Sequence, residues 1–303
     1  MAIVSTFCKK GGVGKTTFIG YLGHFLAKQG KKVLIVSADD QNSIFKIFGA
    51  DDKIFESDDN YLEFYIAGKA ELGDLLIEVR DNLYLIKTLN TDKLSMKLTY
   101  ERSQEKILKS MFKEYSEFFD YILIDFPPSS SRLTEILLEI SDGVCIVVGL
   151  DTLGLGGFWN TIQYFIDNDL DIDSIKFIIP NGFAKNKRAP KVSMDILTEQ
   201  VKEFTPNAVL LNPLQDRSIV KNIQAEGKSA FDEMDNLTAW DLLNKNMLQY
   251  ELLSLYKQMG FEVSDEELNK YKVDEPEQKA TKAKKSTKKS TKTTKTAKKS
   301  KKE

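Results

Sequence analysis

The sequence predicts an α/β fold in which a doubly wound, mostly parallel β-sheet carries helices on both faces. Short runs of isoleucine, valine and leucine, typical of strands buried on both faces, alternate with longer stretches of helical periodicity. The chain has 303 residues, of which 42% are hydrophobic and 29% are charged. This length and composition suit one large folded domain.

The first predicted strand covers residues 2–7, and a glycine-rich turn leads from it into a helix from about Thr16 to Gln29. Gly30 is placed to end this helix, because glycine readily adopts the left-handed conformation that closes many helices. A second strand follows at Val33–Val36. Further strands are predicted at Leu83–Lys87, Tyr121–Asp125, Val144–Leu150, Lys176–Pro180 and Ala208–Leu211, and helices near 101–118, 131–140, 155–167, 190–204, 216–226 and 238–259.

Charge is distributed unevenly along the chain. Residues 279–303 contain 12 lysines and one glutamate, a net charge of +11, whereas the other residues carry 31 basic and 44 acidic side chains, a net charge of −13. We therefore divide the chain into a folded domain at 1–261, an acidic linker at 262–278 and a lysine-rich tail at 279–303. The tail has no apolar side chain larger than alanine, so we expect it to be disordered.

Composition also excludes several classes of protein. No apolar run approaches the roughly 20 residues that span a bilayer, and the N-terminal residues lack the pattern of a signal peptide. Two cysteines and one histidine are too few for a disulfide framework or a histidine-rich metal site. We therefore expect a cytoplasmic protein without integral membrane association.

The turn after the first strand predicts a phosphate-binding loop. Glycines let backbone N–H groups turn toward phosphate oxygens, and the following helix adds its positive N-terminal dipole. In such a loop Lys15 reaches the β- and γ-phosphates and the Thr16 hydroxyl ligates Mg²⁺. Lys9 stands where the usual G-x-x-x-x-G-K-[ST] pattern has its first glycine. The full segment is Lys9-Lys10-Gly11-Gly12-Val13-Gly14-Lys15-Thr16-Thr17.

The string K-G-G-V-G-K-T-T that begins at Lys10 resembles the deviant Walker A motif of the ParA/MinD family of P-loop ATPases. The resemblance implies a P-loop NTPase fold, ATP and Mg²⁺ as cofactors, and a homodimer with the nucleotides sandwiched between subunits. In that dimer Lys10 reaches the phosphates of the other subunit and acts in catalysis beside Lys15. The implied nucleotide-binding residues are Lys10, Gly11, Gly12, Val13, Gly14, Lys15, Thr16 and Thr17.

A later strand supports the same resemblance. The string F-D-Y-I-L-I-D-F-P-P, which ends at Pro128, is similar to the Walker B strand of the family. An apolar strand of this kind delivers Asp125 to the carboxyl edge of the sheet, where a carboxylate offsets the charge of a cation. Asp125 and Thr16 are therefore the expected metal ligands.

The segment Ser37-Ala38-Asp39-Asp40-Gln41-Asn42 resembles the D-x-D-P-Q segment of the family. Asp39 then matches the carboxylate that positions the attacking water. Ser37 replaces the usual first aspartate, and Asp40 replaces the usual proline, which leaves a more flexible backbone. Slow hydrolysis, or a shifted role between Asp39 and Asp40, therefore stays open, with Asp39 as our predicted catalytic residue.

Two segments resemble the adenine pocket of the family. The string I-I-P-N ends at Asn181, whose amide suits adenine because it both donates and accepts hydrogen bonds, although a polar strand cap would also account for it. The segment from Arg217 to Ser229 looks like the family pattern R-x-I-x-x-A-x-x-G-K-S, and Pro213 just before it is expected to close the pocket.

The lysine-rich tail predicts contact with a polyanion, because such arms bind phosphate backbones without reading sequence. Non-specific DNA is the leading partner, and the loop with Lys185, Lys187 and Arg188 is a second candidate contact or a solvated loop. A tail that folds onto the acidic body stays open. Contact with an anionic membrane also stays open. It would be electrostatic only, because the tail lacks the apolar stripe of a MinD-type membrane helix.

The resemblance implies a slow, partner-stimulated ATP hydrolase of the ParA type. We predict that it binds DNA non-specifically as an ATP dimer and drives plasmid or chromosome partition with a ParB-like adaptor, in association with the nucleoid. The alternative is a MinD-like or cargo-positioning ATPase that acts on membrane or another cargo. A metabolic enzyme of the same superfamily is a further rival, but we identify no additional catalytic groups for a small substrate.

Overall fold

The computed structural model describes residues 2–56, 60–151 and 153–273. Its centre is a nine-stranded sheet with the order β3-β4-β2-β5-β1-β6-β7-β8, and β9 also pairs with β7. Only the pair β3–β4 is antiparallel, so the predicted α/β class with a mostly parallel sheet is confirmed. The strands are β1 (Ala2–Phe7), β2 (Val33–Ser37), β3 (Ile77–Arg80), β4 (Leu83–Ile86), β5 (Tyr121–Asp125), β6 (Gly143–Gly149), β7 (Ile175–Phe183), β8 (Val209–Leu210) and β9 (Leu214–Gln215).

Helices connect and cover these strands. None of those in the described ranges combines the length and apolar character that crossing a membrane requires. Short 3₁₀ turns cover Asp52–Ile54, Leu72–Leu75 and Ile172–Ser174. The α-helices are α1 (Lys15–Lys28), α2 (Ser43–Ile47), α3 (Leu62–Ile66), α4 (Thr91–Tyr100), α5 (Arg102–Tyr115), α6 (Arg132–Glu139), α7 (Gly154–Asp167), α8 (Arg188–Phe204), α9 (Ile219–Ala225), α10 (Ala239–Gln258) and α11 (Asp265–Lys270).

The sheet order creates a switch point at β1. From β1 the chain crosses to β2 on one side of the sheet, whereas β6 and β7 are added on the other side. In open parallel sheets a crevice forms at such a point, outside the carboxyl ends of the strands, and ligands bind there. The loop between β1 and α1 lies at this crevice, so the fold positions the predicted phosphate loop where a ligand can enter.

The compact unit extends to Val273, beyond the boundary that we placed at Phe261. Val263 is buried, and α11 packs against the domain through the hydrogen bond from Gln29 Nε2 to Glu267 Oε2, at 3.2 Å. The first part of the predicted acidic linker therefore contributes to the folded unit. The rest of that linker and the predicted disordered tail, residues 274–303, lie outside the described residues.

The C-terminal segment packs on α1 around the buried His24, which is 4% exposed. Its Nδ1 forms a hydrogen bond with Ser229 Oγ, and its Nε2 lies 3.9 Å from a carboxylate oxygen of Asp232. Arg80 donates two hydrogen bonds of 2.9 Å to that carboxylate. Burial lowers the pKa of His24 to about 4, although the charge of Asp232 raises it. His24 is therefore neutral in the folded protein near pH 7.

The low pKa of His24 predicts that the folded state loses stability as the pH falls from about 6.5 to about 4. Between these values the unfolded chain binds a proton that the folded chain does not, so the free energy of unfolding decreases, by up to about 3 kcal/mol. His24 is the single histidine of the chain, so an NMR titration of its ring reads the pKa directly.

The matched variant is His24→Gln, which lacks the titrating group. We subtract the free energy of unfolding of His24→Gln from that of the wild type at each pH. This difference should decrease as the pH falls from about 6.5 to about 4. A ring titration centred near the ordinary histidine value, or a difference that does not change with pH, contradicts the assignment.

Candidate nucleotide-binding site

The loop between β1 and α1 has the backbone conformation of a phosphate cradle. Gly12 and Gly14 have φ angles of +73° and +100°, in the left-handed region that favours glycine. A Cβ at Gly14 would lie 2.6 Å from Asn181 Nδ2, so a larger residue would also displace the Asn181 side chain. No side chain caps α1. Its first backbone N–H groups and its positive dipole are therefore available to an anion.

The Lys15 side chain is 6% exposed and folds back under this loop. Its Nζ donates to the backbone oxygens of Lys10 at 3.0 Å and Cys8 at 3.3 Å. Burial lowers the pKa of Lys15, while the nearby carboxylates of Asp125 and Asp39 raise it. An ammonium group has three N–H donors, so one remains for a phosphate oxygen.

Asp125 ends β5 beside the start of α1. Its Oδ1 accepts a 3.1 Å hydrogen bond from Thr16 Oγ1, and the residue is 1% exposed. Burial raises the pKa of Asp125 to about 7, although the hydrogen bond from Thr16 and the charge of Lys15 lower it. A carboxylate held in this way is unfavourable unless a cation lies beside it.

The pair fits a magnesium ion that shares its ligands with a nucleotide. Mg²⁺ usually takes one or two protein oxygens and completes its octahedron with water and phosphate oxygens. Within the described ranges no group of three or more His, Cys, Asp or Glu residues could hold a metal ion alone. The residues that would hold Mg²⁺ are therefore Thr16 and Asp125, together with oxygens that a bound phosphate supplies.

The two adjacent carboxylates after β2 have different surroundings. Asp39 accepts a 3.0 Å hydrogen bond from the backbone N–H of Gln41, and its charge acts on Lys15 and Asp125. Asp40 instead accepts a 3.1 Å hydrogen bond from the Thr91 hydroxyl, at the start of α4. Of the two, Asp39 therefore acts electrostatically on Lys15 and Asp125, whereas Asp40 is bound to α4, and the catalytic role of Asp39 stays a prediction.

A cavity of about 590 Å³ adjoins the phosphate loop and brings most of the predicted binding residues together. Asn181 lines it and donates from Nδ2 to the Val13 oxygen at 2.8 Å, while its Oδ1 accepts from the Gly182 N–H. Asn181 therefore fixes the loop and keeps one N–H donor and one oxygen lone pair for a base. The residues from Leu214 to Arg217 line the cavity, and Pro213, which directly precedes them, does not.

The cavity is lined by both apolar and basic residues. Pro190, Leu214, Leu248 and Leu252 are among the lining residues and provide apolar surface for a flat base. Thr17 also lines the cavity, and its hydroxyl accepts a 2.8 Å hydrogen bond from Gln224 Nε2. Of the basic loop predicted as a DNA contact, Lys187 lines this cavity, and Lys185 and Arg188 are exposed beside it.

Lys9 has a contact that the sequence did not indicate. Its ammonium donates to Ser130 Oγ, in the segment after β5, and lies 4.9 Å from the centre of the Tyr164 ring. Its backbone N–H donates to Thr161 Oγ1 on α7 at 2.9 Å. The residue that breaks the usual glycine pattern therefore connects the phosphate loop with its neighbours. No sequence signal identifies this contact, because its partners are more than 100 residues away.

Lys10 differs from Lys15 although both belong to the same loop. It lines the cavity, and its Cβ lies 2.6 Å from where a Cβ on Gly157 would stand, so only glycine fits there on α7. Its ammonium makes no hydrogen bond or ion pair with the described part of the chain. Lys15 faces inward, and Lys10 keeps all three donors for a ligand.

Comparison with known proteins places the chain in a family. Residues 1–174, more than half of the chain, match the family described as an AAA domain. The chromosome-partitioning ATPase Soj of Treponema pallidum is 32% identical over 157 residues, covering 51% of this chain and 60% of that protein. The sporulation initiation inhibitor Soj of Bacillus subtilis is 30% identical over 191 residues, covering 57% and 70%.

Solved structures share the fold at low sequence identity. Apo McdA from Cyanothece aligns over 86% of this chain and all of its own, with a TM-score of 0.70 and 21% identity. A plasmid partition protein described as putative, from Borrelia burgdorferi and bound to AMPPNP, aligns over 85% and 99%, with a TM-score of 0.66 and 22% identity. A chain of the MinC:MinD cell division protein complex of Aquifex aeolicus aligns over 87% of this chain and 98% of its own, with a TM-score of 0.63 and 18% identity.

The geometry of the site and the matched relatives agree with each other. The uncapped start of α1, the inward Lys15 and the Thr16–Asp125 pair lie in the segments that carry the sequence motifs. The matched family covers the same residues, and the relatives include ATPases of the Soj type. The chain therefore belongs to the ParA/MinD family of P-loop ATPases.

Proposed function

We propose that this protein is a slow, Mg²⁺-dependent ATPase that dimerises around ATP, binds DNA non-specifically and drives plasmid or chromosome partition. The contrast between Lys10 and Lys15 carries the proposal. Lys15 donates to carbonyl oxygens of its own loop, whereas Lys10 lines the cavity with its ammonium unpaired among the described residues. A lysine in that position is available to the phosphates of a second subunit.

The residues of the site suit hydrolysis of the γ-phosphate. Mg²⁺, when bound beside Thr16 and Asp125, neutralises charge on the phosphates. The remaining donor of Lys15 stabilises the same charge from below the loop. Asp39 orients a water molecule that attacks the γ-phosphorus, and the bond from that phosphorus to the bridging oxygen breaks, releasing ADP and phosphate.

The partition role rests on charge and on the relatives. Soj of Treponema pallidum is described as chromosome-partitioning, and the Borrelia burgdorferi structure as a plasmid partition protein. With a net charge of −13 outside the tail, this chain needs a concentrated positive segment to attract DNA, and residues 279–303 carry +11. A ParB-like adaptor would stimulate hydrolysis and so release the DNA.

Replacing Asp39 by alanine should separate binding from hydrolysis. Because Asp39 acts on the water and not on the nucleotide, we expect kcat to fall at least about 100-fold while the affinity for ATP changes little. Steady-state ATPase assays and equilibrium binding of a fluorescent ATP analogue measure the two effects. The matched control, Asp51→Ala, removes an exposed carboxylate from a nearby loop and should leave kcat unchanged. Normal hydrolysis by Asp39→Ala would contradict the assignment.

Replacing Lys10 by alanine should separate binding from dimerisation. We expect Lys10→Ala to bind ATP as a monomer, whereas Lys15→Ala should lose ATP binding because it removes a donor to the phosphates of its own subunit. Sedimentation velocity with ATP and Mg²⁺ reads the oligomeric state, and Lys31→Ala is a charge-matched control. An ATP-dependent dimer of Lys10→Ala, equal to that of the wild type, is incompatible with contact across the dimer.

The tail should strengthen DNA binding that ATP controls. We expect ATP to tighten binding to duplex DNA relative to ADP, and truncation to 1–278 to weaken it. The slope of log K against log salt should become shallower by roughly 0.9 for each DNA phosphate that the truncated chain no longer neutralises. A full-length variant with the tail lysines changed to glutamine controls for length. DNA binding of equal strength with ATP, with ADP and without nucleotide would contradict the partition mechanism. Sedimentation of the protein with anionic vesicles would favour a positioning ATPase.

A further inference from the structure

Two loops at the carboxyl edge of the sheet are joined beside the nucleotide site. The first follows β2 and contains Asp39, and the second leads from β4 to α4. The strands β2 and β4 are hydrogen-bonded neighbours, with Val36 opposite Ile86, so their loops leave the sheet side by side. We use the name switch clasp for the side chains that join the two loops, which are Asp40, Asn42, Thr88 and Thr91.

The inner half of the switch clasp is buried. Thr88 donates from its hydroxyl to the Ser37 oxygen at 2.6 Å. The Asn42 amide donates to the Thr88 oxygen at 2.8 Å and accepts from the Thr88 N–H at 3.1 Å. Thr88 and Asn42 are both inaccessible to solvent, so water does not compete for these bonds. Asn42 also has a φ of +46°, a left-handed conformation that asparagine tolerates better than most residues.

The outer half of the switch clasp is the Asp40 carboxylate. Its Oδ2 accepts from the Thr91 hydroxyl at 3.1 Å and more weakly from the Thr91 N–H at 3.4 Å. Thr91 is the first residue of the ten-residue helix α4, where the helix dipole favours a negative charge. Glu63 binds next to the same end of the helix, accepting from the N–H groups of Leu89 and Asn90. The helix end that receives Asp40 is therefore fixed.

These contacts hold Asp39 on both sides. The Ser37 hydroxyl donates to the Asp39 backbone oxygen at 2.9 Å, and the switch clasp binds the next residue, Asp40. Among the described residues, the Asp39 carboxylate has one hydrogen bond, to Oδ1 from the Gln41 N–H, which leaves Oδ2 for water. The family pattern has an aspartate and a proline at the positions of Ser37 and Asp40. Proline restricts the backbone covalently, whereas here the hydrogen bond that Ser37 donates and those that Asp40 accepts restrict it.

We infer that Asp40 is a positioning residue, which holds the loop after β2 against α4 so that the Asp39 carboxylate stays aimed at the attacking water. The inference rests on the proposed function, because it assigns Asp40 a role in the hydrolysis that Asp39 supports. The sequence leaves open whether the catalytic role is shifted between Asp39 and Asp40, and this inference assigns the two residues different roles. The loss of proline does not leave this loop unrestrained, and Asp40 acts through Asp39 without replacing it.

The test compares ATP hydrolysis by full-length variants. Asp40→Ala removes the carboxylate, Thr91→Val removes its hydroxyl partner, and Asp40→Asn keeps one oxygen that can accept the hydrogen bond. We expect Asp40→Ala to lower kcat about tenfold with little change in KM for ATP, since misplacing a reacting group affects the chemical step. Asp40→Asn should recover most of the activity. The control Asp92→Ala removes a carboxylate from the same first turn of α4 and should behave like the wild type.

A double variant and hydrogen exchange complete the design. Asp40→Ala combined with Thr91→Val should be no slower than Asp40→Ala alone, because both remove one interaction. In hydrogen–deuterium exchange, Asp40→Ala should speed exchange in 37–42 and 88–94 and leave the phosphate loop unchanged. Thr91→Val tests the same contact from the other side if Asp40→Ala fails to fold.

The outcomes separate the inference from the proposed function. An inactive wild-type chain, or full activity in Asp39→Ala, overturns both together. The inference alone is overturned by a different result. In that case the wild type is active and Asp39→Ala is impaired, but Asp40→Ala has the same kcat and the same hydrogen exchange as the control Asp92→Ala. A loss of activity in Asp40→Ala that appears mainly in KM, or that Asp40→Asn does not recover, also overturns it.

Discussion

The site depends on one constraint, which is that the parallel strands at the centre of the sheet end level with one another. In the sheet register Asp125 of β5 lies opposite Thr6 of β1 and Ser37 of β2. The loops that follow these three strands therefore leave the sheet at one edge, and β7 brings Asn181 to the same place. The phosphate loop, the proposed metal ligands and the Asp39 loop meet there because the strands are parallel and in register, although they come from distant parts of the sequence.

The site is electrostatically incomplete without a ligand. Burial lowers the pKa of Lys15 and raises the pKa of Asp125, so each charged group is less favourable here than in water. A bound phosphate would compensate the charge of Lys15, and a bound cation would compensate the charge of Asp125. A ligand that binds only the folded state also stabilises the fold by mass action. We therefore view the buried charges as a feature of binding, not of stability.

The sequence predicts the large elements and the phosphate loop well, because both leave strong local signals. Buried strands such as β5 and the loop around Gly12 are visible in short windows, and the predicted helices α5 to α10 match in position. The short elements α2, α3, α11, β3 and β9 were not predicted, because two to six residues carry too little periodicity to recognise. The ten-residue helix α4 was also not predicted, and in it only Leu94, Ser95 and Leu98 are buried. The role of Pro213 stays a prediction, because the cavity is lined by the residues that directly follow it, Leu214 to Arg217.

Contacts between distant residues could not be predicted in the same way. Asp40 is 51 residues from Thr91, and Lys9 is 121 residues from Ser130, so no local pattern links them. The sequence marked both Asp40 and Lys9 only as departures from a motif. In the structure each makes side-chain contacts at the edge of the site, and a change in a motif is therefore a reason to look for a compensating contact.

The central claim is that hydrolysis occurs in a dimer that ATP assembles. The most direct test is the ATPase rate per chain, measured with Mg²⁺ over a wide range of protein concentrations at saturating ATP. If two subunits are needed, the rate per chain should rise with protein concentration and then reach a plateau when the dimer is fully formed. A rate per chain that is measurable and constant from the lowest concentration upward would show that one subunit is sufficient, and would contradict the account.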